Sequence, residues 1–370
     1  MISLYAIYTS NMLGVLLMFI LFIGTKWHVV ARRGVDKHLK GMMLIILLSC
    51  IADPFVFRVD SQPGIVNRLI NILGNTWLFA ANIISAYLWL AFLLKHLNHR
   101  MNTYHHIGIC TMCGFGLLLL AVNFFYPIVF ETDSANTYSR YPWYYFFIVV
   151  NGILLIDSLI TYLYIRKQSG LLRCFPIWIY LIPIIIGVTL QTAFYGISVI
   201  WPCAAISVTG VILSVQSEAS YIDNLTGVFN RAFLDSLKDT VFKRDNFNYT
   251  FLMIDINKFK TINDTLGHLM GDEALVETAR IISGIIKDKG SVCRFGGDEF
   301  IAIINNRQNI NIGKLISQIH KSFEKFNATR NKKYELSVSI GCVSDVDSFD
   351  SLVSIIEEAD RRMYTDKKNS

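Results

Sequence analysis

Charged residues are scarce in this sequence, and the scarcity is confined to its first part. Asp, Glu, Lys and Arg make up 17% of the 370 residues, whereas soluble domains average about 25%. Up to Val215 there are 13 basic and 6 acidic residues, and from Gln216 onward there are 21 and 22. The first part is therefore not a soluble domain. Its positive excess favours contact with anionic lipid headgroups and gives no support to a nucleic-acid partner.

The sequence also lacks the marks of a secreted protein. Its seven cysteines are scattered without disulfide spacing, and Cys293 and Cys342 in the second part are expected to be reduced. No basic segment precedes the first apolar run, which therefore predicts a retained membrane helix and not a cleaved signal peptide.

Long apolar runs are abundant before residue 216. A helix needs about 20 apolar residues to cross a bilayer, and seven runs approach that length: Leu4–Trp27, Gly41–Val59, Leu69–Leu94, Ile107–Phe130, Tyr144–Ile165, Pro176–Tyr195 and Val199–Val215. The pattern predicts an all-α bundle of transmembrane helices. The last two runs are so close that they must form a tight hairpin.

The connections between these runs differ in basic charge. The first, third and fifth carry ten lysines and arginines, whereas the second and fourth carry three. Basic loops stay in the cytoplasm, so we expect a multi-pass protein of the plasma (inner) membrane with its N-terminus outside. The predicted parts are a seven-helix membrane domain over 1–215, a short helical linker over 216–222 without Gly or Pro, and a cytoplasmic domain over 223–370.

Some polar residues lie in or near the predicted spans. Asp53 and Asp157 are inside spans, where a carboxyl group is costly and indicates either a function or a polar contact between helices. Six side chains around the third connection suit zinc, in a spacing that matches no zinc motif: His96, His99, His105, His106, Cys110 and Cys113. Neither their role nor the stimulus that the membrane domain senses follows from the sequence.

The second part alternates between strand and helix patterns. Apolar or alternating runs predict strands at Phe251–Asp255, Ser291–Arg294, Phe300–Ile304 and Leu336–Val343. Helical periodicity covers Asp272–Ile286, Ile312–Phe326 and Ser351–Tyr364. These elements predict an α/β (α+β) domain with a central, mainly antiparallel sheet.

Three acids occur where pairing of the strands would bring them together. Asp255 ends one strand, and Asp298 and Glu299 occupy the tight turn of a hairpin. Uncompensated carboxylates at one sheet edge repel one another and favour a divalent cation, and Mg²⁺ prefers carboxylates together with substrate phosphates. Gly296 and Gly297 lack side chains, which allows a phosphate to approach the backbone.

The motif Arg294-Phe-Gly-Gly-Asp-Glu-Phe300 resembles the signature of GGDEF domains, the diguanylate cyclase family. Three further stretches match the family in the expected order: Asp223–Arg231, Asp255–Asp272 and Ala359–Lys367. The resemblance covers about 145 residues, which is essentially everything after the membrane part. It implies the palm-like fold of nucleotidyl cyclases.

The resemblance implies a role for each matched residue. Asp255, the carbonyl of Ile256, Asp298 and Glu299 would bind Mg²⁺, with Mn²⁺ as the alternative ion, and Asp298 or Glu299 would deprotonate the ribose 3′-hydroxyl. Substrate contacts are implied for Phe259, Lys260, Asn263, His268, Asp272, Gly296, Gly297 and Lys367. Among these, the Asn263 amide and the Asp272 carboxylate would pair with the guanine edge. The cationic side chains of Lys260, His268 and Lys367 would contact phosphate or ribose.

The implied reaction joins two GTP molecules into cyclic di-GMP and releases two pyrophosphates. Because each domain would bind one GTP, a homodimer is implied, and receptors of cyclic di-GMP would be the downstream partners. The alternative is a catalytically silent domain that binds GTP or a protein partner, against which the intact Gly-Gly-Asp-Glu-Phe motif argues. A synthase that also uses ATP is disfavoured because Asp272 suits guanine.

Four features depart from the family pattern. Asn257 replaces the second acid of Asp-x-Asp, which is expected to tune activity and not abolish it. Lys287 and Gly290 replace the Arg-x-x-Asp of the inhibitory product site, so tight product inhibition there is not expected. Asp366 stands where a small residue is usual. The chain also stops at Ser370, before a closing segment of many relatives, which is expected to weaken triphosphate binding or leave a sheet edge short.

Overall fold

The computed structural model describes residues 4–24, 36–97, 99, 101–169, 176–194, 197–241, 249–287, 289–306, 310–329, 333–344 and 351–369. The main division between its two compact units falls between Ala219 and Ser220. The first unit is built of long apolar helices, and the second combines helices with a four-stranded sheet. Both predicted classes of structure are therefore present.

A helix forms in each of the seven apolar runs. Their bounds are α1 Leu4–Gly24, α2 Asp36–Val59, α3 Ile65–His96, α4 Thr103–Asn123, α5 Tyr144–Ser169, α6 Trp178–Ala193 and α7 Ile200–Ala219. Within the described residues, six of these helices are long and apolar enough to cross a membrane. They pack through two clusters of buried apolar side chains, one of which is centred on the fully buried Trp89 and Phe92.

The sixth predicted span is shorter than expected. α6 has 16 residues, which is about 24 Å of helix and less than the roughly 30 Å of a bilayer core. Near the end of α6, the side-chain oxygen of Gln191 accepts hydrogen bonds from the backbone N–H groups of Val199 and Ile200, both at 3.2 Å. The end of α6 thus lies against the start of α7, and residues 195 and 196 of the predicted hairpin lie outside the described residues.

The fourth predicted span, Ile107–Phe130, extends beyond the end of the helix that forms there. α4 ends at Asn123, whose side-chain oxygen accepts from the N–H groups of Ile128 and Val129 at 2.9 and 2.8 Å. This turns the chain into β1 Phe130–Thr132, which pairs antiparallel with β2 Tyr138–Arg140. The sequence pattern does not predict this hairpin, because its strands are only three residues long.

Buried amides attach the β1–β2 hairpin to the helices. The Asn136 amide donates to the carbonyls of Val59 at 2.7 Å and Gln62 at 3.0 Å. The Asn71 amide of α3, itself fully buried, donates to the backbone oxygen of Asn136 at 3.1 Å. Since buried polar groups are stable only when hydrogen-bonded, this network fixes one conformation of the hairpin.

Two histidines around the third connection pair with acids on other helices. His96 pairs with Glu218 at 3.0 Å, and His105 pairs with Asp157 at 3.3 Å. In the part of the chain that the structure describes, no three His, Cys, Asp or Glu side chains are grouped so as to hold a metal ion. These two histidines instead have separate partners on different helices.

The second unit is a four-stranded sheet with helices packed on both faces. Its elements are α8 Arg231–Val241, β3 Tyr249–Ile256, α9 Phe259–Leu266, α10 His268–Ile286, β4 Gly290–Gly296, β5 Glu299–Asn305, α11 Ile312–Thr329, β6 Val338–Val343 and α12 Leu352–Asn369. The strand order is β4-β5-β3-β6, and every pair is antiparallel. The predicted strands and helices are confirmed, while α8 and α9 were not predicted.

The alternation of side chains along β3 separates two cores. Leu252, Ile254 and Ile256 point to the face that α10 and α11 cover. Phe251 and Met253 point to the opposite face, which α8 and α12 cover. Because side chains alternate along a strand, Asp255 lies on the second face, towards α12.

Helix α12 also covers the outer edge of β6, the last strand of the sheet in the described residues. The Asp366 carboxylate accepts a hydrogen bond of 2.9 Å from the N–H of Ile340, and Arg362 donates to the Cys342 carbonyl at 2.7 Å. Ile340 and Cys342 are two residues apart on an antiparallel strand, so their backbone groups point to the same side. Because these groups bond to α12, that side is the one away from β3. The unusual Asp366 thus satisfies a backbone group of the edge strand that the sequence analysis expected to be left short.

Candidate active site

The register of the sheet places two acids directly opposite each other. Asp255 on β3 pairs with Glu299 on β5, and both side chains lie on the face towards α12. Like charges at directly opposed positions destabilise a sheet. Asp255 is only 6% exposed, so solvent screens its charge poorly. This costly arrangement is the strongest structural sign of a site for a cation or a cationic group.

The two glycines form the turn beside these acids. Gly297 has a φ of 48°, a conformation that glycine adopts with little strain. A bulge between Arg294 and Gly296 interrupts the pairing of β4 with β5. At both glycines the space that a Cβ atom would occupy is open, which leaves room for a ligand beside the backbone.

An arginine holds this turn from behind. The Arg294 guanidinium donates to the Gly297 carbonyl through Nε at 3.0 Å and Nη2 at 2.9 Å. Its Nη1 lies 3.3 Å from the Asp223 carboxylate, which also accepts from the backbone N–H of Thr226 at 2.9 Å. Asp223 and Arg294 were predicted as parts of motifs but not as site residues. They fix the position of the glycine turn.

The carboxyl groups of Asp298 and Glu299 have raised pKa values. Burial is the main cause for both. The charge of Asp255 adds to it for Asp298, and for Glu299 the charge of Asp360 on α12 comes before that of Asp255. The charge of Asp360 therefore also bears on Glu299, although Asp360 lies in a different motif.

Lys367 supplies the compensating positive charge. Its Nζ lies 2.6 Å from Asp255 Oδ1, although the two residues are 112 positions apart. The lysine is about two-fifths exposed, so solvent weakens the interaction and the ammonium group remains free to move. Lys367 was predicted to contact the triphosphate, and the structure places it beside the carboxylates that would meet a phosphate.

The residues predicted to read the base lie at the corner between α9 and α10. The side chain of Asn263 packs over Gly271, where any larger residue would collide with its Oδ1. Asp272 follows immediately and is exposed. Phe259 packs against the core beneath α9, so its ring supports this corner. The glycine is thus required for Asn263 to lie beside the segment that carries Asp272.

Three more residues of the matched stretch Asp255–Asp272 are Lys260, His268 and Asn257. The side chains of Lys260 and His268 are exposed, and no hydrogen bond or ion pair joins them to another described residue. Asn257 is tied to β6, since its amide donates to Ser337 Oγ at 3.2 Å and its oxygen accepts from Ser339 Oγ at 2.8 Å. The replacement of the family's second acid is therefore satisfied within the protein.

Removing the charge at residue 298 is expected to raise the melting temperature of the ligand-free protein. Because the pKa of Asp298 is raised, its ionised form disfavours folding at pH 7. Asp298→Asn should therefore have the higher Tm at pH 7. The difference from wild type should shrink as the pH falls towards 3.8, the ordinary value, because the wild-type carboxyl group then takes up its proton. Tm measured against pH tests this.

The exposed Asp264→Asn variant is the control for that measurement, since it removes a charge from α9 away from the turn. Its Tm should follow wild type at every pH. An Asp298→Asn variant that melts with or below wild type at pH 7 would contradict the expectation.

Comparison with known proteins assigns this site to a family. Residues 220–370 match the sequence profile described as diguanylate cyclase, GGDEF domain. Diguanylate cyclase A of Treponema denticola is 39% identical over 121 residues, which are 32% of this chain and 33% of that protein. The probable diguanylate cyclase DgcC of Escherichia coli K12 is 30% identical over 149 residues, covering 40% of each chain. Response regulator PleD of Caulobacter vibrioides is 30% identical over 156 residues, 40% of this chain and 34% of PleD.

The chain spans between a third and two-fifths of the length of these curated relatives. The part that the family profile matches is the unit that follows the apolar helices. It contains the antiparallel sheet, the glycine turn and the opposed carboxylates. Residues 220–370 are a GGDEF domain of the diguanylate cyclase family.

Proposed function

We propose that the protein is a membrane-bound diguanylate cyclase that condenses two GTP molecules into cyclic di-GMP. The observation that supports this most strongly is the direct opposition of Asp255 and Glu299 beside the open Gly296-Gly297 turn. Two acids facing each other beside a turn without side chains suit a site for a triphosphate and its cation.

The donor set fits Mg²⁺, with Mn²⁺ as the alternative. Asp255, the Ile256 carbonyl, Asp298 and Glu299 would hold it. Mg²⁺ is commonly bound by one or two carboxylates together with substrate phosphates, so a site completed by GTP agrees with the lack of a metal-binding trio among the described residues. When bound, the ion neutralises phosphate charge and lowers the pKa of a coordinated hydroxyl.

In each condensation the 3′-oxygen of one GTP attacks the α-phosphorus of the other. The bond from that phosphorus to the bridging oxygen breaks, and pyrophosphate leaves. We assign the uptake of the hydroxyl proton to Glu299, because burial and the nearby charges of Asp360, Asp255 and Asp298 raise its pKa and make it a stronger base. A second condensation closes the ring.

The remaining residues bind and orient the nucleotide. Gly296 and Gly297 leave room for the α-phosphate, and Lys367 can turn from Asp255 to the phosphates. Asn263 and Asp272 would hydrogen-bond the guanine edge from the corner of α9 and α10. The exposed Lys260 and His268 are available for phosphate or ribose, and Phe259 supports the corner.

Catalysis by this scheme requires two copies of the chain. Each domain has one set of site residues and holds one GTP, whereas the product contains two nucleotides. We therefore propose a homodimer in which two sites face each other, and positioning would supply much of the rate acceleration. Receptors of cyclic di-GMP would act downstream.

The membrane unit would anchor and control this dimer. Six helices have the length and composition of membrane spans, and α6 would complete seven crossings through a locally thinner bilayer. With basic loops inside, the N-terminus lies outside the plasma membrane and the GGDEF domain in the cytoplasm. The proposed linker 216–222 begins as helix, since α7 continues to Ala219.

The test is turnover of GTP with Mg²⁺ by the purified full-length protein in nanodiscs, with products separated by chromatography and identified by mass. Wild type should form cyclic di-GMP, and the Asp298→Ala, Glu299→Ala double variant should form none while keeping the wild-type circular dichroism spectrum. If wild type binds GTP but forms no product, the proposal of a cyclase is wrong and the alternative, a silent GTP-binding domain, is supported.

Restoring the family's second acid should have little effect. In Asn257→Asp the carboxylate can accept from both Ser337 and Ser339, so the contacts with β6 survive. We expect kcat to stay within about a factor of ten of wild type, below the effect of losing a general base. Steady-state rates measure this. A larger change in either direction would show that residue 257 acts in the active site.

Cyclic di-GMP should not inhibit the enzyme through the position where relatives carry Arg-x-x-Asp. Lys287 and Gly290 stand there, and a side chain at 290 would collide with the Ile303 carbonyl. The backbone of β5 thus excludes the aspartate. Initial rates of pyrophosphate release should be unchanged by added product. Inhibition at about micromolar product, as expected of a specific site, would contradict this.

A further inference from the structure

A carboxyl group is buried among α1, α2 and the residues just before α7. Asp53 of α2 is 3% exposed, Asn11 of α1 is fully buried, and Ser198 is 1% exposed. A charged side chain in such a position is costly unless it has a partner. The surroundings of Asp53 therefore decide whether it carries a charge.

The hydrogen bonds around Asp53 are incomplete. The Asn11 amide donates to Asp53 Oδ2 at 2.9 Å and to the Ile7 carbonyl at 3.0 Å, which uses both of its hydrogens. Asn11 Oδ1 is buried and has no partner among the described residues. The Ser198 hydroxyl faces the same carboxyl group without a well-formed hydrogen bond.

No basic side chain compensates Asp53 in the part of the molecule that the structure describes. The salt bridges of this unit involve Glu218 and Asp157. The titratable neighbour is the Cys50 thiol, one turn earlier on α2, and a thiol brings no positive charge. From α1 the site receives the Asn11 amide, and from the residues before α7 it receives the Ser198 hydroxyl.

One proton would satisfy both the carboxyl group and the orphaned amide oxygen. A carboxylic acid and a primary amide can pair through two hydrogen bonds, the N–H donating to one carboxyl oxygen and the O–H donating to the amide oxygen. The first bond is present between Asn11 and Asp53. The second requires the acid to be protonated, and it would supply the donor that Asn11 Oδ1 lacks.

We propose that Asp53 is a proton-binding site within the membrane unit, with the proton held between its carboxyl group and the Asn11 amide. A metal ion is the less suitable ligand, because hard cations take about six or more oxygen ligands. Asp53, Asn11 and Ser198 provide only a few. Loss of the proton would leave an uncompensated charge at the junction of three elements.

The location suggests what the proton controls, and this step rests on the proposed function. Asp53 lies six residues before the end of α2, about 9 Å along the helix, on the side proposed to be outside. Ser198 lies two residues before α7, and α7 ends at Ala219, where the GGDEF domain begins. Release of the proton would thus disturb the packing of the helix that leads to the cyclase.

Infrared spectroscopy of the full-length protein in nanodiscs tests the proton directly. At pH 7, where exposed aspartates are ionised, wild type should show the carbonyl stretch of a buried protonated carboxyl group, shifted in D₂O. Asp53→Asn should lose this band, and Asp157→Asn, which removes the other acid inside the predicted spans, should retain it. A spectrum in which Asp53→Asn removes only carboxylate bands would overturn the proposal, as would a band abolished by added Na⁺ at constant pH.

Cyclic di-GMP formation across a range of pH provides the second measurement. Asp53→Asn mimics the protonated acid, so the ratio of wild-type to variant rate should change with pH. A constant ratio would overturn the control of the cyclase by this site. Absence of turnover in both proteins would instead contradict the proposed function. The infrared measurement does not depend on turnover, so it tests the proton on Asp53 in either case.

Discussion

Replacing Glu299 with glutamine is expected to lower kcat for cyclic di-GMP formation by about 10²- to 10⁴-fold, the usual contribution of a general base. Glutamine keeps the shape of the side chain but cannot accept the hydroxyl proton. Glu299 is held opposite Asp255 by the pairing of β3 with β5. The substitution removes one of two opposed charges, so folding should be unharmed.

The matched control is Glu324→Gln on the exposed face of α11, which should retain the wild-type rate. Binding of a non-hydrolysable GTP analogue should persist in Glu299→Gln, so that the loss appears in kcat and not in affinity. A loss below tenfold would transfer the role of base to Asp298, which has the other raised pKa at this turn. The comparison therefore separates two roles that the motif leaves undivided.

Replacing Gly341 with alanine is expected to destabilise the protein by about 3 kcal/mol, at the upper end of overpacking effects. Helix α12 packs its backbone directly on β6 at this glycine. A Cβ would collide with the carbonyl of Ala359 and the backbone nitrogen of Met363. Because these are backbone atoms, they can yield only if the whole helix moves. The midpoint of urea unfolding measures the change.

Gly284→Ala is the matched control, because this glycine lies within α10 and its Cβ position is open. Alanine there should stabilise the protein by about 1 kcal/mol through helix propensity alone. Gly341→Ala should also lower cyclase activity, since displacement of α12 moves Lys367 and Asp360 away from the carboxylates. Equal unfolding midpoints for Gly341→Ala and wild type would show that α12 is not held at this contact.

The active site is thus a place where stability is given up for function. Asp255 and Glu299 face each other, and Asp298 lies beside them. Burial raises the pKa of both Asp298 and Glu299. Lys367 offsets part of this repulsion. The two contributions from α12, one acid and one lysine, explain why a helix far along the chain belongs to the site.

Much of the organisation followed from local patterns in the sequence. The uneven distribution of charge separated a membrane part from a soluble part, and periodicity located seven apolar helices and the four strands of the sheet. The short β1–β2 hairpin and the early end of α4 did not follow. They depend on the side chains of Asn123 and Asn136, which bond to backbone groups that no periodic pattern marks.

The sequence by itself determined which residues are available for chemistry: the acids Asp255, Asp298 and Glu299, the two glycines and Lys367 all lie in recognisable motifs. Only the tertiary structure decided that Asp255 faces Glu299, that Asp223 and Arg294 hold the turn across 71 positions, and that Asp360 acts on Glu299. The physical reason is that a residue's own preferences and periodicity are local, whereas strand register and helix packing join distant segments. Those long-range contacts turn a set of motifs into one site.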